Sequence, residues 1–227
     1  MLKITLKDGS IKETAEDNLI ISFAKELSSS LAKKCVAAKY DGVLVNLSDK
    51  LTHNGSLELI TEDDEEGFKI LNHSTAHLLA HAISLLYPGA HMGVGPEIEE
   101  GFYYDFDLGE NVLVPEDLPK IEKKMMELAN QDIKITHYDV TKEEAHKLMA
   151  SDPYKLELID AIEGDTVHVY EQGGYYEVCR GPHVMSTKRI KHFKLLSIAG
   201  AYWRGDSKNK VLTRIYGTSW FSDQALK

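Results

Sequence analysis

The sequence predicts an α+β protein built in two parts, and three observations predict it. Leu2, Ile4 and Leu6 alternate with Lys3 and Thr5, the period of a half-buried strand. Over residues 68–86 the period changes: Leu71, Leu78, Leu79, Ala82 and Leu86 form a helical stripe that Pro88-Gly89 ends. Between the two patterns stands Thr61-Glu62-Asp63-Asp64-Glu65-Glu66-Gly67, an acidic break that reads as a domain boundary and as a helix start.

The first part is small and β-rich. Asp8-Gly9 is a hairpin signal after the opening strand. Residues 19–27 carry apolar side chains at helical spacing, and further short strands are predicted over 36–40, 43–47 and 57–61. Turn residues at Asp41-Gly42 and Asn54-Gly55 separate them. This predicts a compact α+β domain over residues 1–62, with a larger domain over residues 63–227.

In the larger part, residues 102–106 read as an aromatic strand. Residues 115–131 read as a helix with Leu118, Ile121, Met125 and Leu128 on one face. Residues 133–140 alternate like a strand, and Thr141 with Glu144 forms a capping box that opens another helix. Strands are expected near 167–170, 193–199 and 211–216. Trp203 and Tyr202 read as core, and Gly200, Gly205 and Gly217 as turn or close-packing positions.

Composition narrows the function classes. Of 227 residues, 43% are hydrophobic, enough to build a core. The net charge of −10, from 36 acidic and 26 basic side chains, argues against broad phosphate neutralisation and leaves local recognition of an RNA end open. Cys35 and Cys179 are too few for a disulfide framework and read as reduced thiols in a cytoplasmic protein. Residues 1–6 do not look like a signal peptide, and no run approaches the roughly 20 apolar residues of a membrane span, so no membrane partner is expected.

Two constellations could carry chemistry. His73, His77 and His81 recur every four residues near one helix face, a spacing that suits metal binding or general-base work. The plainer reading is three ordinary helix histidines. Cys179-Arg180-Gly181-Pro182-His183 places a thiol and an imidazole on a tight loop, as nucleophile and base or as two metal ligands. Taken together, His73, His77, Cys179 and His183 form a plausible zinc set.

These residues also carry a resemblance. His73-Ser74-Thr75-Ala76-His77, Gly93-Val94-Gly95-Pro96, Gly101-Phe102-Tyr103-Tyr104-Asp105 and Cys179-Arg180-Gly181-Pro182-His183 resemble the editing domain of bacterial-type threonyl-tRNA synthetases in order and spacing. Residues 199–206 and 214–218 resemble a region shared with alanyl-tRNA synthetases, placed within about 170–220. The opening segment resembles the TGS domain, a ubiquitin-like β-grasp module, and the likeness covers essentially the whole chain.

The resemblance implies hydrolysis of the mischarged ester seryl-tRNA(Thr), with threonyl-tRNA(Thr) spared. It implies catalytic roles for His73, His77, Lys155, Glu177, Cys179 and His183, and substrate binding by Tyr104, Gly95 and Pro96. The terminal adenosine is expected near Tyr104 and the 93–96 loop. The family carries aspartate where this chain has Glu177, one methylene longer. On sequence alone Lys155 would be a solvated helix lysine and Glu177 a surface carboxylate. Cys179 reads as pocket lining rather than nucleophile, because direct water attack suffices.

No cofactor is expected for editing; ATP and zinc belong to the family's catalytic core. That core and the anticodon-binding domain are expected partners, together with tRNA(Thr) and its aminoacylated 3′ end. Rival readings are a non-catalytic tRNA-binding module and a zinc-dependent free-standing deacylase. Sequence leaves open whether the chain is a fragment or free-standing, and no ATP-dependent threonine activation is expected of it.

Overall fold

A computed structural model describes residues 1–226. The chain divides into two compact units. Met1–Leu71 and Gly181–Met185 form the first; Asn72–Arg180 and the described residues from Ser186 onward form the second.

The first unit is one five-stranded sheet with two helices. Strands β1 (Leu2–Leu6) and β2 (Ile11–Thr14) make the hairpin expected from Asp8-Gly9. Gly9 takes φ +85°, and the Asp8 carboxylate accepts the Ser10 N–H at 2.9 Å. Helix α1 (Ile20–Leu27) buries Ile20, Phe23 and Ala24. A second helix, α2 (Ser29–Lys34), follows at once; sequence periodicity did not show it, because its six residues contribute a single buried side chain, Ala32. Ser28 separates the two in an extended conformation and caps α2, accepting the Leu31 N–H. Strands β3 (Cys35–Tyr40), β4 (Val43–Val45) and β5 (Gly55–Thr61) complete the order β2-β1-β5-β3-β4. The central pair β1/β5 is parallel and the other pairs are antiparallel. Ile4, Phe23, Leu51 and Leu57 sit in the core beneath it.

The acidic break opens helix α3 (Glu65–Leu86), whose first turn carries Glu65 and Glu66 where the helix dipole favours carboxylates. Asp64 accepts the Thr61 N–H at 2.8 Å. The division between the units falls inside this helix.

The second unit holds the rest of α3 and two sheets. Strands β6 (His91–Met92), β7 (Glu97–Ile98) and β8 (Gly101–Asp107) lead into α4 (Leu118–Asn130), which buries the predicted stripe of Leu118, Ile121, Met125 and Leu128. Strand β9 (Thr136–Thr141) ends at the predicted capping box of α5 (Lys142–Leu148). Helix α6 (Pro153–Ala161) carries Lys155, which the sequence reading puts on a helix without bounds; Asp152 caps it and Pro153 occupies its first turn. Strands β10 (Thr166–Gln172), β11 (Tyr175–Val178), β12 (His192–Tyr202) and β13 (Val211–Trp220) follow, then a short α7 (Asp223–Leu226). One sheet runs β11-β10-β9. The other runs β12-β13-β8-β6, with β7 also on β8.

Buried polar contacts pin the histidine-bearing part of α3 to β13. The Asn72 side chain donates to the Ser219 carbonyl at 3.0 Å and accepts the Ser219 N–H at 2.9 Å. Thr75 Oγ1 donates to Ser219 Oγ at 2.8 Å. Such contacts are worth most where water is excluded. Gly217 lets β13 pass the ring of Phe102, which an added Cβ would meet at 2.4 Å. Trp203 is core as expected, whereas Tyr202 is 46% exposed: it sits at the end of edge strand β12, where little covers it. No described helix is long and apolar enough to cross a membrane.

Candidate active site

A cavity of about 310 Å³ opens in the second unit. His73 and His77 face it from α3, Lys155 from α6, and Glu177 and Cys179 from β11 and the residue after it. Val94, Gly95, Pro96 and Glu97 form another wall. Five of the six residues expected to be catalytic therefore converge, together with two of the three expected to bind substrate.

The i, i+4 spacing on α3 brings the two imidazoles edge to face, with ring centroids 4.9 Å apart. His73 Nε2 lies 3.6 Å from Cys179 Sγ, and His73 Nδ1 lies 3.6 Å from Glu97 Oε2. The ligand atoms of His73, His77 and Cys179 all fall within 4.8 Å of one another. Burial pushes the pKa of His73 below its ordinary value. It pushes His77 further down, and the positive charge of Lys155 adds to the effect at both. Both rings therefore favour the neutral form at pH 7. His73 keeps a quarter of its side chain exposed, while His77 is buried.

A buried ion pair lines the same cavity. Lys155 Nζ donates to Glu177 Oε2 at 2.6 Å, and the two side chains are 4% and 3% exposed. The other oxygen, Oε1, accepts the hydroxyls of both Tyr104 and Tyr175. Burial, then the Glu177 charge, pushes both phenols well above their ordinary range, so they keep the protons they donate. Among the described residues, Lys155 Nζ makes no second hydrogen bond, which leaves two N–H groups beside the cavity.

The structure corrects two sequence readings. Lys155 is not a solvated helix lysine: α6 turns it inward onto a carboxylate. Glu177 is not a surface carboxylate, because three donors from α6, β8 and β11 surround it. The Tyr104 ring has no exposed surface. It packs against Gly95, whose absent Cβ would lie 2.1 Å from the Tyr104 ring, and its hydroxyl donates to Glu177 Oε1. His183 is buried in the segment that belongs to the first unit, where its N–H donates to Asn46 Oδ1 at 3.0 Å. Both cysteines are thiols, with no disulfide among the described residues. His81 points away from this cavity; its ring stacks on Tyr175, and burial lowers its pKa to about 4.

Sequence reasoning missed Tyr175. The signal available was its position two residues before Glu177, on the same face of a strand.

Residues 2–61 match the TGS domain, and residues 167–216 match the threonyl and alanyl tRNA synthetase second additional domain. Threonine–tRNA ligases from Acholeplasma laidlawii and Bacillus subtilis are each 50% identical to the whole chain, and that of Streptococcus mutans is 46% identical. The chain spans 35–36% of the length of these relatives. The chain is thus similar along its whole length to the amino-terminal regions of bacterial threonine–tRNA ligases, and it carries their TGS domain and second additional domain.

Proposed function

We propose that the second unit hydrolyses the aminoacyl ester of seryl-tRNA(Thr) and spares threonyl-tRNA(Thr). The observation that carries this reading is the pairing, across one small cavity, of neutral histidines with an ion-paired lysine that keeps spare donors. An ester needs those two things. A base takes a proton from water, and a donor stabilises the oxyanion that forms.

His73, the more exposed imidazole, takes a proton from a water whose oxygen adds to the ester carbonyl carbon. The tetrahedral oxyanion receives N–H donation from Lys155. The bond from that carbon to the ribose oxygen then breaks, and the proton held on His73 passes to the departing oxygen. Serine and a free tRNA 3′ end result. His77, buried beside His73, holds the base in place. Cys179 lines the wall. Glu177 has its oxygens engaged by three donors, so its first task is to hold Lys155.

Threonine is larger than serine by one methyl. A hydrophobic contact with a methyl is worth only about 1–3 kcal/mol, so binding alone separates the two poorly. A rigid cavity that admits serine and rejects the larger side chain by overlap solves the problem in the editing direction. tRNA(Thr) and the remaining domains of a threonine–tRNA ligase are the partners this reading implies, in a cytoplasmic setting. Release of labelled serine from seryl-tRNA(Thr) by the full chain tests it.

A zinc-dependent hydrolase is the second reading, and one observation favours it. The 3.6 Å between His73 Nε2 and Cys179 Sγ suits two ligands of one tetrahedral ion. The Lys155 charge felt at both histidines opposes a cation there. An activated ester also asks less of a Lewis acid than an amide does. We therefore take editing to need no metal.

A further inference from the structure

Glu177 accepts from Lys155, Tyr104 and Tyr175, and Tyr175 is the one of these that neither the sequence motifs nor the cavity lining singles out. Strand alternation puts Tyr175 and Glu177 on the same face of β11. The Tyr175 ring is itself fixed. It stacks on His81 with centroids 5.2 Å apart and planes 10° from parallel. His81 Nδ1 is hydrogen-bonded to Gln172 Nε2 at 3.1 Å, and Gln172 is the ladder partner of Tyr175 across β10/β11. The stack therefore closes on itself and leaves the phenol one direction, toward Glu177 Oε1.

We infer that Tyr175 is a positioning residue for ester hydrolysis, acting through Glu177 to hold the Lys155 ammonium at the cavity. The inference rests on the hydrolase reading above. Its physical basis is the reach of glutamate, which has one more rotatable bond than aspartate. Here two hydroxyls on Oε1 and the ammonium on Oε2 together fix the plane of the longer arm. Without that hydroxyl the carboxylate turns and Lys155 Nζ, bonded to its other oxygen, moves with it. Displacements near 1 Å in catalytic geometry cost on the order of 10²-fold in rate.

The test is steady-state hydrolysis of seryl-tRNA(Thr) by the full chain carrying Tyr175→Phe, with folding checked by circular dichroism. This substitution keeps the ring on His81 and removes only the hydroxyl. The control is Tyr176→Phe, whose ring lies on the opposite face of β11 against the Ala145 and Val167 cluster. The inference expects kcat to fall about tenfold or more in Tyr175→Phe with KM within about threefold, the mark of a group that matters in the transition state alone. Tyr176→Phe should keep both constants. An unchanged kcat, a rise confined to KM, or a chain that no longer folds would each overturn the inference and leave the hydrolase reading standing. An inert wild-type chain would overturn that reading and the inference with it.

Discussion

Lys155 Nζ and Glu177 Oε2 lie 2.6 Å apart, and water reaches almost none of either side chain. A pair withdrawn this far behaves as one unit. Its two desolvation costs are offset only while both partners are present. The same contact fixes the ammonium beside the cavity, so on the proposed reading the fold and the chemistry depend on it together.

Truncation at this pair should therefore cost stability as well as rate. Lys155→Ala leaves Glu177 buried without its cation, and breaking one side of such a pair costs about 3–5 kcal/mol. Paired replacement by Lys155→Met and Glu177→Gln removes both charges and should recover most of that loss without recovering hydrolysis. Urea denaturation of the three chains checks it. A Lys155→Ala chain as stable as wild type would mean that the pair is looser than described.

His73→Ala should act on rate. The ring is partly exposed, so the fold should persist while hydrolysis falls about 10²–10⁴-fold, the range for a lost general base. Burial holds the His73 pKa below 6.5, so wild-type rate should be flat near pH 7 and fall as pH drops through that lowered value. Single-turnover deacylation with matched thermal melts separates the two effects.

His81 supplies a pH dependence of stability rather than of rate. Its folded pKa, about 4, lies below the ordinary 6.5, so the unfolded chain binds the proton first. Stability from this group is complete above pH 6.5 and declines as pH falls from there toward 4. At pH 5 the loss is about 2 kcal/mol by linkage. His81→Phe keeps an aromatic partner for Tyr175 and removes the proton site. Its denaturation free energy should change less between pH 7 and pH 5 than that of wild type, by about that amount. Equal slopes would show that the ring titrates normally.

Metal content separates the two hydrolase readings. Protein purified without chelator should carry well under one equivalent of zinc, and hydrolysis should survive chelation. Stoichiometric zinc, with activity lost to chelator and restored by the ion, would establish the other reading.

What the sequence shows depends on how local the cause is. The Asp8-Gly9 hairpin, the Thr141/Glu144 capping box and the α4 stripe are set by neighbours a few residues away, and each is found where the sequence places it. The i, i+4 histidines on α3 are local too, and they do share a cavity wall. Lys155 and Glu177 are not local. They meet across 22 residues because Asp152 caps α6 and turns Lys155 inward, so neither looked buried in sequence. The two-hydroxyl clamp on Glu177 is further still from view, since Tyr104 is 73 residues away and its neighbour Tyr103 faces the opposite side of β8. Helix α2 escaped notice because six residues are too few for a period.

The most direct test of the account compares two esters on one tRNA. Purified chain is mixed with seryl-tRNA(Thr) and, separately, with threonyl-tRNA(Thr), and the intact ester is followed over time beside a no-protein control. The account predicts that the seryl ester disappears well above background while the threonyl ester decays at the background rate. Equal hydrolysis of both would contradict the selective cavity, and background decay of both would contradict the hydrolase itself.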